Sequence, residues 1–120
     1  MAISRRAVLG LAVWLLLISS ASRWWQGHQE RERGEQVAAL AQPGDIHMLS
    51  SETCAICAQA RKWFTEHRVA FGECMIERDE ACRRAYEAEQ APGTPVIMVR
   101  GRAQLGFSPQ RLQAALEAKV

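Results

Sequence analysis

The fold of this chain is decided by a stretch in which a short apolar run leads into two cysteines three positions apart, Ile46-His47-Met48-Leu49-Ser50-Ser51-Glu52-Thr53-Cys54-Ala55-Ile56-Cys57. The apolar run predicts a strand, and residues 54–67 carry apolar side chains at helical spacing. The predicted buried face of this helix consists of Ile56, Ala60, Trp63 and Phe64. Two thiols therefore stand at the start of a helix that directly follows a strand.

This position suits sulfur chemistry. Unpaired backbone N–H groups and the positive end of the helix dipole favour a thiolate over a thiol, and the thiolate is the nucleophile in disulfide exchange. Cys54 is the candidate nucleophile, and Cys57 lies one turn later, where it can resolve a mixed disulfide. Glu52 would oppose the thiolate by charge repulsion. A Cys-x-x-Cys motif is also half of many zinc sites, so the motif alone leaves both chemistries open.

The rest of the folded part alternates short strands and helices. The predicted elements are a strand over residues 69–77, a helix from an Asp79 N-cap to about residue 90, a strand over 96–99, a returning strand over 103–105 and a last helix opened by Ser108-Pro109. A β-α-β unit crosses over right-handed, so its two strands are parallel, whereas the later hairpin is antiparallel. The predicted fold class is α/β, in the order β-α-β-α-β-β-α with a mixed four-stranded sheet.

Size and charge narrow the possible functions. Residues 45–120 are predicted to form one small domain. A domain of this size buries only about 60% of its unfolded surface, so a disulfide would add to its stability. The net charge of +2 comes entirely from the residues before position 45. The folded part is neutral and lacks a cluster of basic residues among aromatics, so we expect no nucleic-acid partner.

Residues 1–25 are predicted to be a signal anchor or a signal peptide. Arg5 and Arg6 precede an uncharged, strongly apolar run over residues 7–22. The basic end of such a segment stays in the cytoplasm, which places the rest of the chain outside it. We therefore expect a single-pass protein of a bacterial inner membrane, with its C-terminal domain in the periplasm.

Two features bear on cleavage of this segment. Trp24-Trp25 resembles an interfacial belt that would extend the span to bilayer width. Residues 19–21 are small and suit a signal peptidase, so an exported and cleaved protein is the alternative. Residues 26–44 are predicted to be a polar linker, partly helical, which ends at Pro43-Gly44.

Three motifs in order indicate a family. Cys54-Ala55-Ile56-Cys57, Thr94-Pro95-Val96 and Leu105-Gly106-Phe107-Ser108-Pro109 make residues 45–120 resemble a glutaredoxin-type member of the thioredoxin superfamily. The resemblance implies that Cys54 attacks, that Cys57 resolves, and that Pro95 is cis and faces the cysteines. It also implies substrate-binding roles for Thr94, Pro95, Gly106 and Phe107.

The sequence also departs from that family. Ala55-Ile56 replaces the Pro-Tyr usual between glutaredoxin cysteines, and the Gly-Gly-x-Asp segment that binds glutathione is absent. The segment Gly106-Phe107-Ser108-Pro109 is closer to redoxins that take electrons from thioredoxin reductase. Glutathione use is therefore left open.

Cys74 and Cys82 form the second cysteine pair. Four cysteines allow three pairings, and the sequence does not choose among them. Parsimony pairs Cys54 with Cys57 and Cys74 with Cys82, the second as a structural disulfide that agrees with export from the cytosol. A relay pair that passes electrons to Cys54-Cys57, or four thiolates on one zinc ion, are the alternatives.

The sequence thus predicts a thiol-disulfide oxidoreductase that acts outside the cytoplasm through Cys54-Cys57. Its expected partners are a disulfide-containing protein or thiol substrate and a membrane held by the N-terminal segment. No cofactor and no metal site are predicted. The alternatives are a non-catalytic binding or assembly module with two structural disulfides, and thiol-based metal handling.

Overall fold

The computed structural model describes residues 2–118 of the chain. Its elements, in chain order, are α1 Arg5–Leu40, β1 Ile46–Ser50, α2 Ala55–Glu66, β2 Gly72–Met75, α3 Glu80–Ala88, β3 Val96–Val99, β4 Arg102–Leu105 and α4 Pro109–Glu117. From β1 onward this is the predicted β-α-β-α-β-β-α order, which is confirmed. The second strand is shorter than the predicted range 69–77, because its pairing with β1 extends only from Gly72 to Met75.

The four strands form one mixed sheet in the order β2-β1-β3-β4. β1 and β2 are parallel, with Ser50 opposite Met75, whereas β3 is antiparallel to both β1 and β4. The predicted mixed sheet is therefore confirmed. Because β1 and β2 run in the same direction, the loops that follow Ser50 and Met75 lie side by side at one edge.

The three helices after β1 begin at residues whose side chains cap them. Cys54, Asp79 and Ser108 each have an extended backbone and accept a hydrogen bond from the N–H three residues later. Such caps satisfy one of the unpaired N–H groups of a first helical turn. The caps at Asp79 and Ser108 were predicted from sequence, and they fix where α3 and α4 start.

The two faces of the sheet bury separate apolar clusters. The larger cluster centres on Phe64 of α2, whose ring lies 4.7 Å from that of Phe71 and 5.6 Å from that of Phe107. The smaller cluster, around Leu49, Cys82 and Val96, lies beneath α3. Alternation along the strands produces this division, since successive side chains of a strand point to opposite faces.

The helix α1 differs from the predicted linker. It is continuous from Arg5 to Leu40, and the chain divides into one compact unit up to Glu32 and another from Arg33. Within the second unit, Gly34 and Val37 are buried and Val37 belongs to the larger cluster. The C-terminal part of the predicted linker is therefore helical and contributes Val37 and Ala41 to the core.

The first unit carries the apolar part of α1. Within residues 2–118, α1 is the one helix long and apolar enough to cross a membrane, a criterion that signal sequences also meet. Its large apolar side chains, including Trp24 and Trp25, are exposed.

Gly34 allows α2 to approach the end of α1. A Cβ placed at Gly34 would lie 2.1 Å from His67 Nδ1, so we expect Gly34→Ala to lower the free energy of unfolding by about 1–3 kcal/mol. Adding His67→Ala should restore part of the loss. Gly27→Ala is the matched control, since nothing lies within 4 Å of its Cβ. Urea unfolding of the full chain in detergent checks this, and equal effects of the two glycine variants would contradict it.

Candidate functional site

The Cys54-Cys57 pair lies at the first turn of α2. The two sulfurs form a disulfide in this structure, and the Cys57 N–H donates to Cys54 Sγ over 3.1 Å. Cys57 is fully buried, whereas Cys54 is partly exposed. An incoming group therefore reaches the Cys54 sulfur first. In the reduced form, the Cys57 N–H and the helix dipole are placed to stabilise a Cys54 thiolate.

The Thr94-Pro95 turn faces this pair. The peptide bond between Thr94 and Pro95 is cis, and the Thr94 carbonyl oxygen lies 3.4 Å from Cys54 Sγ. Pro95 is buried and its carbonyl accepts a hydrogen bond of 2.9 Å from the Gly106 N–H. Gly106 has a φ of +75°, a conformation that glycine adopts readily. The structure thus brings Thr94, Pro95 and Gly106 to one edge beside Cys54.

Phe107 contacts α2. Its ring packs on α2, with its centroid 5.7 Å from that of Trp63 and 5.6 Å from that of Phe64. Phe107 therefore braces the helix that carries the cysteines.

The buried face of α2 is rotated from the predicted one. Cys57, Ala60 and Phe64 are buried, whereas Ile56 is 49% exposed. The prediction that Ile56 lies in the core was wrong, because the buried positions follow the i, i+3, i+7 spacing that starts at Cys57. Ile56 instead places an apolar side chain on the surface between the two cysteines.

A polar groove of about 340 Å³ lies beside Cys54. Its lining residues are Ser51, Glu52, Cys54, Ala58, Arg61, Met75 and Arg78. The carboxylate of Glu52, which we expected to oppose the thiolate, is paired with the guanidinium of Arg78. Glu52 therefore has an opposite charge beside it in this groove.

Glu77 holds the loop in front of Cys54. Its carboxylate accepts hydrogen bonds from the Ser51 hydroxyl and from the Glu52 N–H, the latter at 3.2 Å. The hydroxyl of Ser51, followed by other hydrogen bonds, lowers the pKa of Glu77 below its usual value. Together with the Arg78–Glu52 pair, this contact ties the turn after β2 to the loop after β1, and we call the four residues the loop clamp.

The neighbouring carboxylate, Glu73, is tied to α2. It accepts from Arg61 Nε at 2.8 Å and Nη2 at 2.9 Å, and from the buried Ser50 hydroxyl at 2.8 Å. Burial raises the pKa of Glu73, but the hydrogen bonds from Arg61 and Ser50 outweigh burial and hold it below its ordinary value. These contacts fix α2 against β2, the strand that precedes Glu77 and Arg78.

A carboxyl whose pKa is lower in the folded than in the unfolded chain stabilises the fold at neutral pH, and this stabilisation is lost as the pH falls through the folded pKa. We therefore expect Glu73→Gln to lower the free energy of unfolding by about 1–2 kcal/mol at pH 7 and by less below its ordinary pKa of 4.5. Glu66→Gln is the control, because its pair with Lys62 is exposed. Urea unfolding at pH 7 and pH 3 measures both, and a pH-independent cost of Glu73→Gln would contradict the expectation.

Cys74 and Cys82 are joined by the second disulfide. It closes the turn between β2 and α3, which contains Glu77 and Arg78. His47 Nε2 lies 3.3 Å from Cys74 Sγ. Among residues 2–118, no three His, Cys, Asp or Glu side chains are grouped so as to hold a metal ion.

Sequence reasoning missed the loop clamp. Ser51-Glu52 and Glu77-Arg78 lie about 25 residues apart, and the sequence pattern predicts no contact between them. The signal that could have found them is the parallel pairing of β1 and β2, which places residues just after Ser50 beside residues just after Met75. Opposite charges at those positions then predict contact.

Comparison with known proteins agrees with this geometry. Residues 46–103 match the family model of glutaredoxin. A crystal structure of a mutant of the thioredoxin-like protein BC3987 is similar, with 23% identity and a TM-score of 0.55, and the match covers 63% of this chain and 99% of that one. Methanoredoxin of Methanosarcina acetivorans matches with 21% identity and a TM-score of 0.52, over 65% of this chain and 90% of that one. None of the curated proteins matches the sequence significantly.

The two solved structures establish the fold, and the family match covers the strand and helix that carry both cysteines. The predicted resemblance is confirmed: residues 46–103 match glutaredoxin, and the chain has a thioredoxin-like fold preceded by a long apolar helix.

Proposed function

We propose that the protein is a thiol-disulfide oxidoreductase in which Cys54 attacks a substrate disulfide and Cys57 resolves the mixed disulfide. The observation that carries this proposal is the difference in access between the two sulfurs at one helix start. The Cys54 sulfur is reachable and bonded to the Cys57 N–H, whereas Cys57 is fully buried. A reachable nucleophile with a protected partner one turn away is the arrangement that exchange requires.

The surroundings of Cys54 support a disulfide in an extended peptide as substrate. Thr94 lies two residues before β3 and beside Cys54, where its backbone can pair with an extended segment. Ile56 adds an exposed apolar contact next to the nucleophile. In this proposal Thr94, Pro95 and Gly106 position the substrate, and Phe107 acts through its packing against α2.

We further propose that α1 holds this activity at a membrane, with residues 33–118 on the periplasmic side of a bacterial inner membrane. Arg5 and Arg6 precede the apolar segment, and this charge bias supports a cytoplasmic N-terminal end. In whole cells, a membrane-impermeant maleimide should label Cys54 after mild reduction. Labelling that requires lysis would contradict this placement.

The function is tested by exchange with a disulfide-bonded reporter peptide. Reduced full-chain protein in detergent should reduce the peptide, and Cys54→Ala should lower the rate at least a hundredfold, to the uncatalysed background. Gln59→Ala, an exposed residue one turn further along α2, is the matched control and should stay within twofold. A wild-type rate no higher than that of Cys54→Ala would overturn the proposal in favour of a non-catalytic binding module.

A further inference from the structure

We propose that the Cys74–Cys82 bridge is a second exchangeable disulfide, and that its opening releases the loop clamp and slows exchange at Cys54. The first half concerns the bridge alone. The second half rests on the proposed function, because it is stated as an effect on the rate at Cys54. Both halves follow from contacts within the unit that begins at Arg33.

The bridge is accessible from one side. A crevice of about 390 Å³ lies on the α3 face of the sheet, lined by His47, Leu49, Glu73, Cys74, Asp79, Ala81, Cys82, Ala85 and Met98. Cys74 is partly exposed, whereas Cys82 is 3% exposed. Access therefore directs an incoming thiolate to the Cys74 sulfur.

The groups around the bridge favour that direction of attack. Cys82 is the third residue of α3, so a thiolate leaving there meets the N-terminal end of the helix dipole. The His47 imidazole, 3.3 Å from Cys74 Sγ, can donate a hydrogen bond to that sulfur when it becomes a thiolate. In the opened bridge, the Cys74 sulfur thus has a hydrogen-bond donor in His47. The Cys82 sulfur has only the helix dipole, because the Cys82 N–H is bonded to the Asp79 carboxylate.

The exchange balances with an external dithiol as reductant. One thiolate of the reductant attacks Cys74 Sγ, a new S–S bond forms, and the bridge breaks as Cys82 leaves with the electron pair. The second thiolate of the reductant then attacks the reductant's first sulfur, which is bonded to Cys74 Sγ. This attack closes the reductant's disulfide and releases Cys74. The reductant loses two electrons and the bridge gains them, and both cysteines are protonated from solvent.

Opening the bridge affects Cys54 through the loop clamp. The disulfide closes the chain from Cys74 to Cys82 into a ring, and Glu77 and Arg78 lie inside that ring. Glu77 holds the Ser51 hydroxyl and the Glu52 N–H, and Arg78 pairs with Glu52. When the ring opens, the turn that carries Glu77 gains freedom, and the loop that positions the Cys54 cap loses its support.

The first experiment isolates the bridge. A full-chain Cys54→Ser/Cys57→Ser variant in detergent is treated with dithiothreitol without denaturant, and free thiols are counted by mass after maleimide labelling. We expect both Cys74 and Cys82 to be labelled while near-UV circular dichroism is unchanged. His47→Gln should slow labelling at least fivefold, and Met98→Leu, in the same crevice, should stay within twofold. The proposal would be overturned if labelling occurred only at the rate of global unfolding. It would also be overturned if His47→Gln did not slow labelling relative to the Cys54→Ser/Cys57→Ser parent.

The second experiment measures the coupling. Cys74→Ala/Cys82→Ala removes the bridge. Glu77→Ala keeps the bridge but removes the carboxylate that holds the Ser51 hydroxyl and the Glu52 N–H. Each should lower the rate of exchange with the reporter peptide at least fivefold, and each should shift the pH dependence of Cys54 alkylation, which a merely structural role would not move. Glu80→Ala, whose side chain forms an exposed pair with Arg84, is the control. Wild-type rates in Glu77→Ala would overturn the coupling.

The two proposals fail separately. If the wild-type protein does not exchange with the peptide at all, the proposed function fails and the coupling falls with it. The labelling of Cys74 and Cys82 in the first experiment still decides whether the bridge itself is exchangeable.

Discussion

Full-chain protein that carries Cys57→Ser is expected to accumulate mixed disulfides with its substrates, at least tenfold above wild type. In the wild-type protein, Cys57 attacks the substrate-bound Cys54 sulfur from one turn away and releases the substrate. Serine at position 57 occupies a similar volume but cannot attack, so the adduct persists. The adducts are detected as species that a reductant collapses to the free chain on a gel.

The matched control for trapping is the Cys54→Ser/Cys57→Ser double variant, which should form no such adducts. Cys74 and Cys82 remain in both variants, so any adduct at the second disulfide appears equally in the two. The account would be contradicted if Cys57→Ser formed no more adducts than the double variant. It would also be contradicted if Cys57→Ser formed none with a cell extract.

The second large effect is on stability. Val37 is fully buried in the larger cluster although it lies in a polar stretch of sequence. Val37→Asp places an unpaired charge among apolar side chains, and we expect a loss of at least about 3 kcal/mol. Since small domains are stable by only about 5–15 kcal/mol, the variant should unfold at much lower urea concentration and be cleaved readily by protease.

Ala39→Asp is the control for Val37→Asp. It adds the same charge two residues later on the exposed side of α1, so its effect should remain within about 0.5 kcal/mol. Comparable losses in the two variants would indicate that the charge, rather than the burial of Val37, destabilises the chain. In that case the end of α1 would not be part of the core.

The fold from β1 onward was readable because local signals agreed with one another. Each element carries residue types typical of its structure. Examples are the apolar run before Cys54, the helix caps at Asp79 and Ser108, and the strand Val96–Val99. The end of α1 was not readable. Val37 is a single valine in a polar stretch, so the sequence gives no sign that the larger cluster covers it.

The cysteines of the site could be predicted from their residue type and spacing. Contacts between residues far apart in the sequence could not. Cys54 was indicated by residue type and position, and Thr94-Pro95 by the family resemblance; the structure places the Thr94 carbonyl oxygen 3.4 Å from Cys54 Sγ. The rotation of α2 that buries Cys57 and exposes Ile56 depends on packing, which helical periodicity alone leaves ambiguous by one position. The contact of His47 with Cys74 joins residues 27 positions apart, and it required the register of β1 with β2.

The most direct test of the central claim is the reduction potential of the Cys54–Cys57 disulfide in the full chain, measured by equilibration with dithiol buffers. Exchange-active pairs of this superfamily lie between about −120 and −270 mV, whereas structural disulfides lie below about −300 mV. Cys74→Ala/Cys82→Ala protein, measured in parallel, separates the two bridges. The account predicts a value in the first range for Cys54–Cys57, and a value below about −300 mV would contradict it.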